Sequence, residues 1–194
     1  MSGRRAWLVL ALVLALPPAA PAAEPGWTVE ALMARLAAVR QVDSTFIERK
    51  TLSVLQSPLL SSGILRYRAP DYLLKQVLQP FPESYEVAGG RLFVQIPGRP
   101  REEVDLDRYR PLRVLADSLR ATLAGDLAAL SSYCRITLSG QAEGWTLRLE
   151  PRDEDVRRHV AQVLIGGSGA GILAVETRDA DGDVSEMTIT PAAE

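Results

Sequence analysis

The chain has 194 residues, 47% of them hydrophobic, with 22 Lys+Arg against 24 Asp+Glu and a formal net charge of −2. That balance, without any Lys/Arg block, excludes an electrostatic footprint for nucleic acid, and the apolar fraction excludes a disordered chain. One cysteine, Cys134, rules out an intramolecular disulfide framework, and one histidine, His159, rules out His-rich metal sites and HExxH chemistry.

Arg4 and Arg5 precede an unbroken apolar run from Ala6 to Leu16, and Ala20-Pro21-Ala22 fits a small-residue cleavage site. The run is too short to cross roughly 30 Å of hydrocarbon as a helix. Residues 1–22 are expected to be a cleaved signal peptide, and 23–194 a single exported domain destined for the periplasm. No cysteine follows the run to carry a lipid anchor. Without Arg4 and Arg5 the exported domain has 20 basic and 24 acidic residues, a charge near −4.

Thr28 suits a helix N-cap, Glu30 suits the first turn, and Leu32, Met33, Leu36 and Val39 recur at helical spacing. From Ser44 the texture becomes β-like. Strands are predicted at 44–50, 62–68, 72–79, 84–88 and 91–96, with Gly89-Gly90 as a hairpin turn. Pro97-Gly98-Arg99-Pro100 breaks the run. Pro111 then suits the first position of a second helix, whose stripe is Leu112, Leu115, Leu119 and Leu123, closed by Gly125 and followed by a further turn at 126–130. Strands resume at 133–139, 145–150, 159–165, 172–178 and 184–190. Strands at this spacing with hairpin links predict an antiparallel sheet curling toward a barrel, with the helices against its concave face.

The candidate chemistry fails on inspection. Gly166 to Gly171 lacks the third glycine of a dinucleotide loop, which falls at Ile172, and the last glycine of a nucleophile elbow, which falls at Ala170. It reads as a hairpin loop; a hydrolase pairing Ser168 with His159 ranks well below the other readings. Asp179, Asp181 and Asp183 resemble the start of a calcium loop, but Val184 and Thr190 stand where its glycine and bidentate glutamate belong. A turn fits better. Asp153-Glu154-Asp155 reads as a solvated turn, and Cys134 as a buried small side chain. No catalytic constellation, metal site or cofactor site is expected. Phe46 shares a strand face with Glu48, and Leu73 and Val77 share one with Lys75, but alternation alone does not say which face points inward.

The stretch Gly63-Ile64-Leu65-Arg66-Tyr67-Arg68-Ala69-Pro70-Asp71, continued through Tyr72–Gln79 and Pro80, resembles the periplasmic outer-membrane lipoprotein carrier family, LolA-like. Glu83-Ser84, the Val87-to-Phe93 hairpin and Ser44-Thr45-Phe46-Ile47-Glu48 extend the resemblance. It implies an incomplete antiparallel β-barrel of about ten to eleven strands around an apolar cavity covered by helices. It implies that Phe46, Leu65, Tyr67, Leu73, Val77 and Phe93 face, or border, that cavity, and it turns Glu48 and Lys75 inward. Leu112, Leu115 and Leu119 become the lid. The implied activity is non-enzymatic carriage of acylated lipoprotein or another acyl-chain lipid by a monomer, between an inner-membrane transporter and an outer-membrane receptor. The alternative is a lipid-sensing half-barrel that controls envelope-stress signalling. One departure stands out: Ala69 occupies the place of the arginine that binds the lid in the best-known carriers, and Arg68 lies one step away on the other face.

Overall fold

A computed structural model describes residues 26–192; the expected signal peptide at 1–22 lies outside the described residues. Among the described residues, eleven strands form one antiparallel sheet: β1 (Gln41–Thr51), β2 (Leu59–Arg68), β3 (Tyr72–Gln79), β4 (Glu83–Ala88), β5 (Arg91–Gln95), β6 (Glu102–Asp105), β7 (Cys134–Gln141), β8 (Gly144–Pro151), β9 (Gln162–Ser168), β10 (Gly171–Arg178) and β11 (Val184–Pro191). Their spatial order is β6-β5-β4-β3-β2-β1-β11-β10-β9-β8-β7. Two meanders therefore meet at the β1–β11 pair, and β6 and β7 are the free edges.

Among the described residues, four α-helices accompany the sheet: α1 (Val29–Ala37), α2 (Arg110–Ala124), α3 (Leu127–Tyr133) and α4 (Glu154–Arg157). The topology explains where α2 and α3 must run. They connect β6 to β7, the two opposite edges. A flat eleven-stranded sheet would separate those edges by about 48 Å, whereas a 15-residue helix is only about 22 Å long. The sheet must curl for the link to close, and the link then lies across the concave face. The sheet stays open, because β6 and β7 do not pair.

Local chemistry sets the helix ends. Thr28 Oγ1 accepts from the Ala31 amide at 3.2 Å and starts α1, which buries Leu32, Met33 and Leu36. Asp126 Oδ1 accepts from the Ala129 amide at 2.9 Å and starts α3, where the sequence predicted only a turn. Gly125 ends α2 in the left-handed region at φ +67°, and a Cβ there would stand 2.2 Å from the Met33 carbonyl oxygen. The glycine thus serves both the turn and the close crossing of α1 and α2.

The well-packed core lies over the β7–β9 half of the sheet. Leu32, Met33, Leu36, Ala121 and Leu130 pack there on Trp145, Leu147, Leu149, Val163 and Ile165. The Trp145 ring lies over its cross-strand partner Gly167, where a Cβ would come within 2.3 Å of the indole. Its Nε1 donates to the Gly169 carbonyl at 3.0 Å. A smaller cluster, Phe46, Val77 and Ile189, sits on the β1–β3 side.

Three local expectations need correction. A sixth strand, β6, follows the Pro97–Pro100 break; it is only four residues long, too short to show alternation. The strand expected from His159 begins at Gln162, because the His159 and Val160 amides bond back to the Val156 carbonyl at the end of α4. The 153–155 segment is not a plain turn: Asp153 Oδ1 accepts from the Asp155 and Val156 amides and caps α4.

Candidate functional site

A cavity of about 340 Å³ lies between the helices and the concave face, within the usual size range of small-ligand sites. Leu36 and Val39 at the end of α1, with Leu119, Thr122 and Leu123 of α2, form one wall. The sheet supplies Val42, Ser44, Leu65, Tyr67, Leu73, Lys75, Tyr85 and Val87 from one meander, and Ile165, Ile172, Val175, Met187 and Ile189 from the other. Strand register explains the grouping. Val42 opposes Tyr67, and Tyr67 opposes Leu73, which opposes Val87; Ser44 opposes Leu65, which opposes Lys75, which opposes Tyr85. Cross-strand partners share a face, so these rows all point inward.

The residues singled out from the sequence separate into groups. Leu65, Tyr67, Leu73 and Lys75 line the cavity. Phe46 and Val77 face the same side but are packed solid with Ile189, one residue pair further along the strands. Glu48 lies beyond Phe46 on that side, with its side chain only 5% exposed. Phe93 is a correction. It pairs with Glu86 and Glu103 on the convex face, while Leu92 and Val94 oppose the inward Val87 and Tyr85. The Arg101 guanidinium stacks 4.3 Å from the Phe93 centroid, which gives the ring an outer partner.

The expected lid is corrected in part. Leu119 reaches the cavity and Leu115 packs against the core under the helices. Leu112 is exposed, beside Val104 and Tyr109. The buried side of α2 runs instead through Val114, Ser118, Ala121 and Thr122. The Ser118 and Thr122 hydroxyls are satisfied within the helix, by the Val114 and Ser118 carbonyls at 2.7 and 2.8 Å, so these polar residues can lie on its buried side. Leu36, Val39, Met187 and Ile189 were also missed as cavity residues; the β1–β11 pairing that places the last two is invisible to chain order.

Behind the cavity-lining Lys75, Glu48 organises a polar cluster. Lys75 Nζ donates to Glu48 Oε2 at 2.6 Å, Ser61 Oγ donates to the same oxygen at 3.2 Å, and Ser185 Oγ donates to Oε1 at 2.7 Å. Lys50 Nζ stands 3.7 Å from Oε1. Burial pushes the Glu48 carboxyl up, but the Lys75 bond and charge, with Ser185 and Lys50, outweigh it and hold it below its ordinary value. Lys75 also sits 5.1 Å from the Phe46 centroid. Beside it, burial and then Glu83 raise the Tyr85 phenol to about 12; its hydroxyl donates to Glu83 Oε2 at 2.5 Å.

Ser168 and the residues next to His159 lie at opposite ends of β9, about 20 Å apart, so they form no dyad. Asp179 Oδ1 accepts from the Asp181 and Asp183 amides, each at 2.9 Å, and shapes the β10–β11 turn. Arg68, on the outer face, donates to Asp43 at 2.6 Å and to the Tyr67 carbonyl at 2.8 Å. It is committed there and does not reach the helices in place of the arginine absent at Ala69.

The family model described as outer membrane lipoprotein carrier protein LolA-like matches residues 19–194. The chain belongs to that LolA-like family. No curated protein matches the sequence significantly. Among solved structures, a LolA superfamily protein of Nitrosomonas europaea is 11% identical, with 84% of this chain and 92% of that one covered at a TM-score of 0.42. A putative outer membrane lipoprotein-sorting protein domain of Vibrio parahaemolyticus is 13% identical, with coverages of 84% and 91% and a TM-score of 0.40. A chain of the Pseudomonas aeruginosa MucA/MucB complex is 12% identical over 84% of this LolA-like chain and 55% of that one, at a TM-score of 0.44. Among the described residues no helix is long and apolar enough to cross a membrane.

Proposed function

We propose that this LolA-like protein is a non-enzymatic periplasmic carrier that holds the acyl part of a lipoprotein, or of a related acylated lipid, and moves it toward the outer membrane. One observation carries the reading: a largely apolar cavity of about 340 Å³ left open between a curled sheet and the helices that cross it. A solid core would have filled that space, since interiors pack to crystal-like density. Each buried methylene contributes about 0.8 kcal/mol, so a palmitoyl-length chain contributes about 12 kcal/mol. Free release into water is then too slow to be useful, and cargo must pass directly between binding sites. An inner-membrane transporter as donor and an outer-membrane receptor as acceptor meet that requirement.

The test is displacement. Bis-ANS should bind the folded exported domain and be driven off by palmitate, and native mass spectrometry of protein purified without detergent should retain an acyl-bearing adduct. Dye binding that requires unfolding, together with an adduct-free spectrum, refutes a carrier.

A further inference from the structure

The cavity has two unlike walls. The residues that β9–β11 contribute are all apolar, among them Ile165, Ile172, Val175, Met187 and Ile189. The β1–β4 wall carries polar groups, and two of them have hydrogen-bonding capacity that the fold leaves unused. Lys75 Nζ brings three donors, of which Glu48 Oε2 takes one at 2.6 Å; among the described residues no second acceptor bonds it. Tyr67 is 3% exposed and lines the same cavity, yet its hydroxyl meets no hydrogen-bond partner among the described residues. Buried polar groups are nearly always paired, so an orphan on a cavity wall points to an acceptor from outside the fold. Register places the two groups together. Tyr67 opposes Leu73, two residues before Lys75, and such diagonal cross-strand neighbours stand about 7–8 Å apart, within reach of long side chains.

Both groups are donors. Burial raises the Tyr67 phenol above its ordinary value, against the charge of Arg40, so it keeps its proton. The carboxylates beside them are already engaged: Glu48 accepts from Lys75, Ser61 and Ser185, and Glu83 accepts from Tyr85. The charges around Lys75 also cancel, with Lys50 and Lys75 set against Glu48 and Glu83. A carboxylate or phosphate would add an unbalanced charge to a buried site, whereas a neutral oxygen acceptor would not. A buried ion pair adds little to stability over apolar packing, so its place on the cavity wall needs another reason. We propose that Lys75 and Tyr67 are specificity residues, donating to the carbonyl oxygen of an ester- or amide-linked acyl group whose hydrocarbon tail lies along the β9–β11 wall. This specificity presupposes the acyl-carrier reading and narrows its cargo: a linked acyl group is favoured over a free fatty acid or a plain alkyl chain.

The experiment compares monopalmitoylglycerol with its ether analogue hexadecylglycerol, which has the same head and chain length but no carbonyl, as displacers of bis-ANS from the exported domain. Wild type should favour the ester by about tenfold, the scale of hydrogen bonds that the ether cannot match. Tyr67→Phe, and separately Lys75→Met combined with Glu48→Gln, should each cut that preference to about threefold or less. Tyr67→Phe should leave the ligand-free melting midpoint unchanged or raised, because its hydroxyl has no partner to lose. With an isotope label on the ester carbonyl, the infrared stretch should fall in frequency on binding wild type, and fall less on binding either variant. Equal displacement by ester and ether in wild type overturns the proposal. So does a full preference in either variant, or a carbonyl stretch that does not move. In each of those cases dye displacement by palmitate leaves the carrier reading standing; if palmitate also fails to displace the dye, the carrier reading falls with the proposal.

Discussion

Lys75→Met is the most informative perturbation of the polar cluster. It removes the cation 2.6 Å from a carboxylate that is 5% exposed. Breaking a fully buried pair costs about 3–5 kcal/mol, because an unpaired charge is left behind. Two features here reduce that cost: the Lys75 side chain is 26% exposed, and Glu48 keeps the Ser61 and Ser185 hydroxyls and Lys50. An expected loss of about 2 kcal/mol follows, which in a domain of this size lowers the melting midpoint by about 4–8 °C. Glu48→Gln should cost a comparable amount. The double variant should lose less than the sum of the two by about 1–2 kcal/mol, since it removes both charges. The pH dependence has a definite sign. Glu48 stands below its ordinary value of 4.5, so its contribution is present above that pH and is lost as pH falls through the folded value. Lys75→Met removes the main cause of that depression and should move the acid limb of stability to higher pH. The assay is urea and thermal unfolding of the four proteins across pH. Single effects that add within about 0.3 kcal/mol, with an unmoved acid limb, refute the coupling.

Filling the cavity with Leu119→Trp should weaken palmitate displacement of bis-ANS by about tenfold or more while leaving the melting midpoint unchanged or raised; calorimetry and dye titration read both. Gly125→Ala forces a Cβ against the Met33 carbonyl at a positive φ. A destabilisation of about 2 kcal/mol or more is expected by urea unfolding. Phe93→Ala should leave ligand binding unchanged and cost less than about 1 kcal/mol, because the ring sits outside the cavity and loses mainly its Arg101 contact.

The elements that could be read from the sequence are those whose signals are local. The α1 cap, the Gly89-Gly90 hairpin, the alternation in β8 and the Gly125 stop each depend on a few neighbouring residues, and each forms as expected. The short β6 strand and the shift of β9 past His159 escaped for the same reason: four residues show no period, and a small helix borrowed the first residues of the expected strand.

The site was legible only as far as register could be carried from one strand to the next. Leu65, Tyr67, Leu73 and Lys75 follow from one another across β2 and β3, so fixing one fixes all. Phe93 broke that chain because the Gly89-Gly90 hairpin pairs Ala88 with Arg91 and Val87 with Leu92, which sends Phe93 to the other face. A one-residue change in assumed register reverses every side chain beyond the turn. Leu112 shows the corresponding weakness for helices. The leucine stripe looked apolar enough to be the buried face, yet α2 turns smaller residues inward where α1 approaches closely. The cavity itself has no sequence signature, because it is the volume that no residue fills. It exists because the β6–β7 link must cross a curled eleven-stranded sheet, and α1, α2 and α3 pack down onto the β7–β9 half rather than onto β1–β4. That long-range geometry, rather than any motif, is what gives an otherwise ordinary set of leucines and valines room for a ligand.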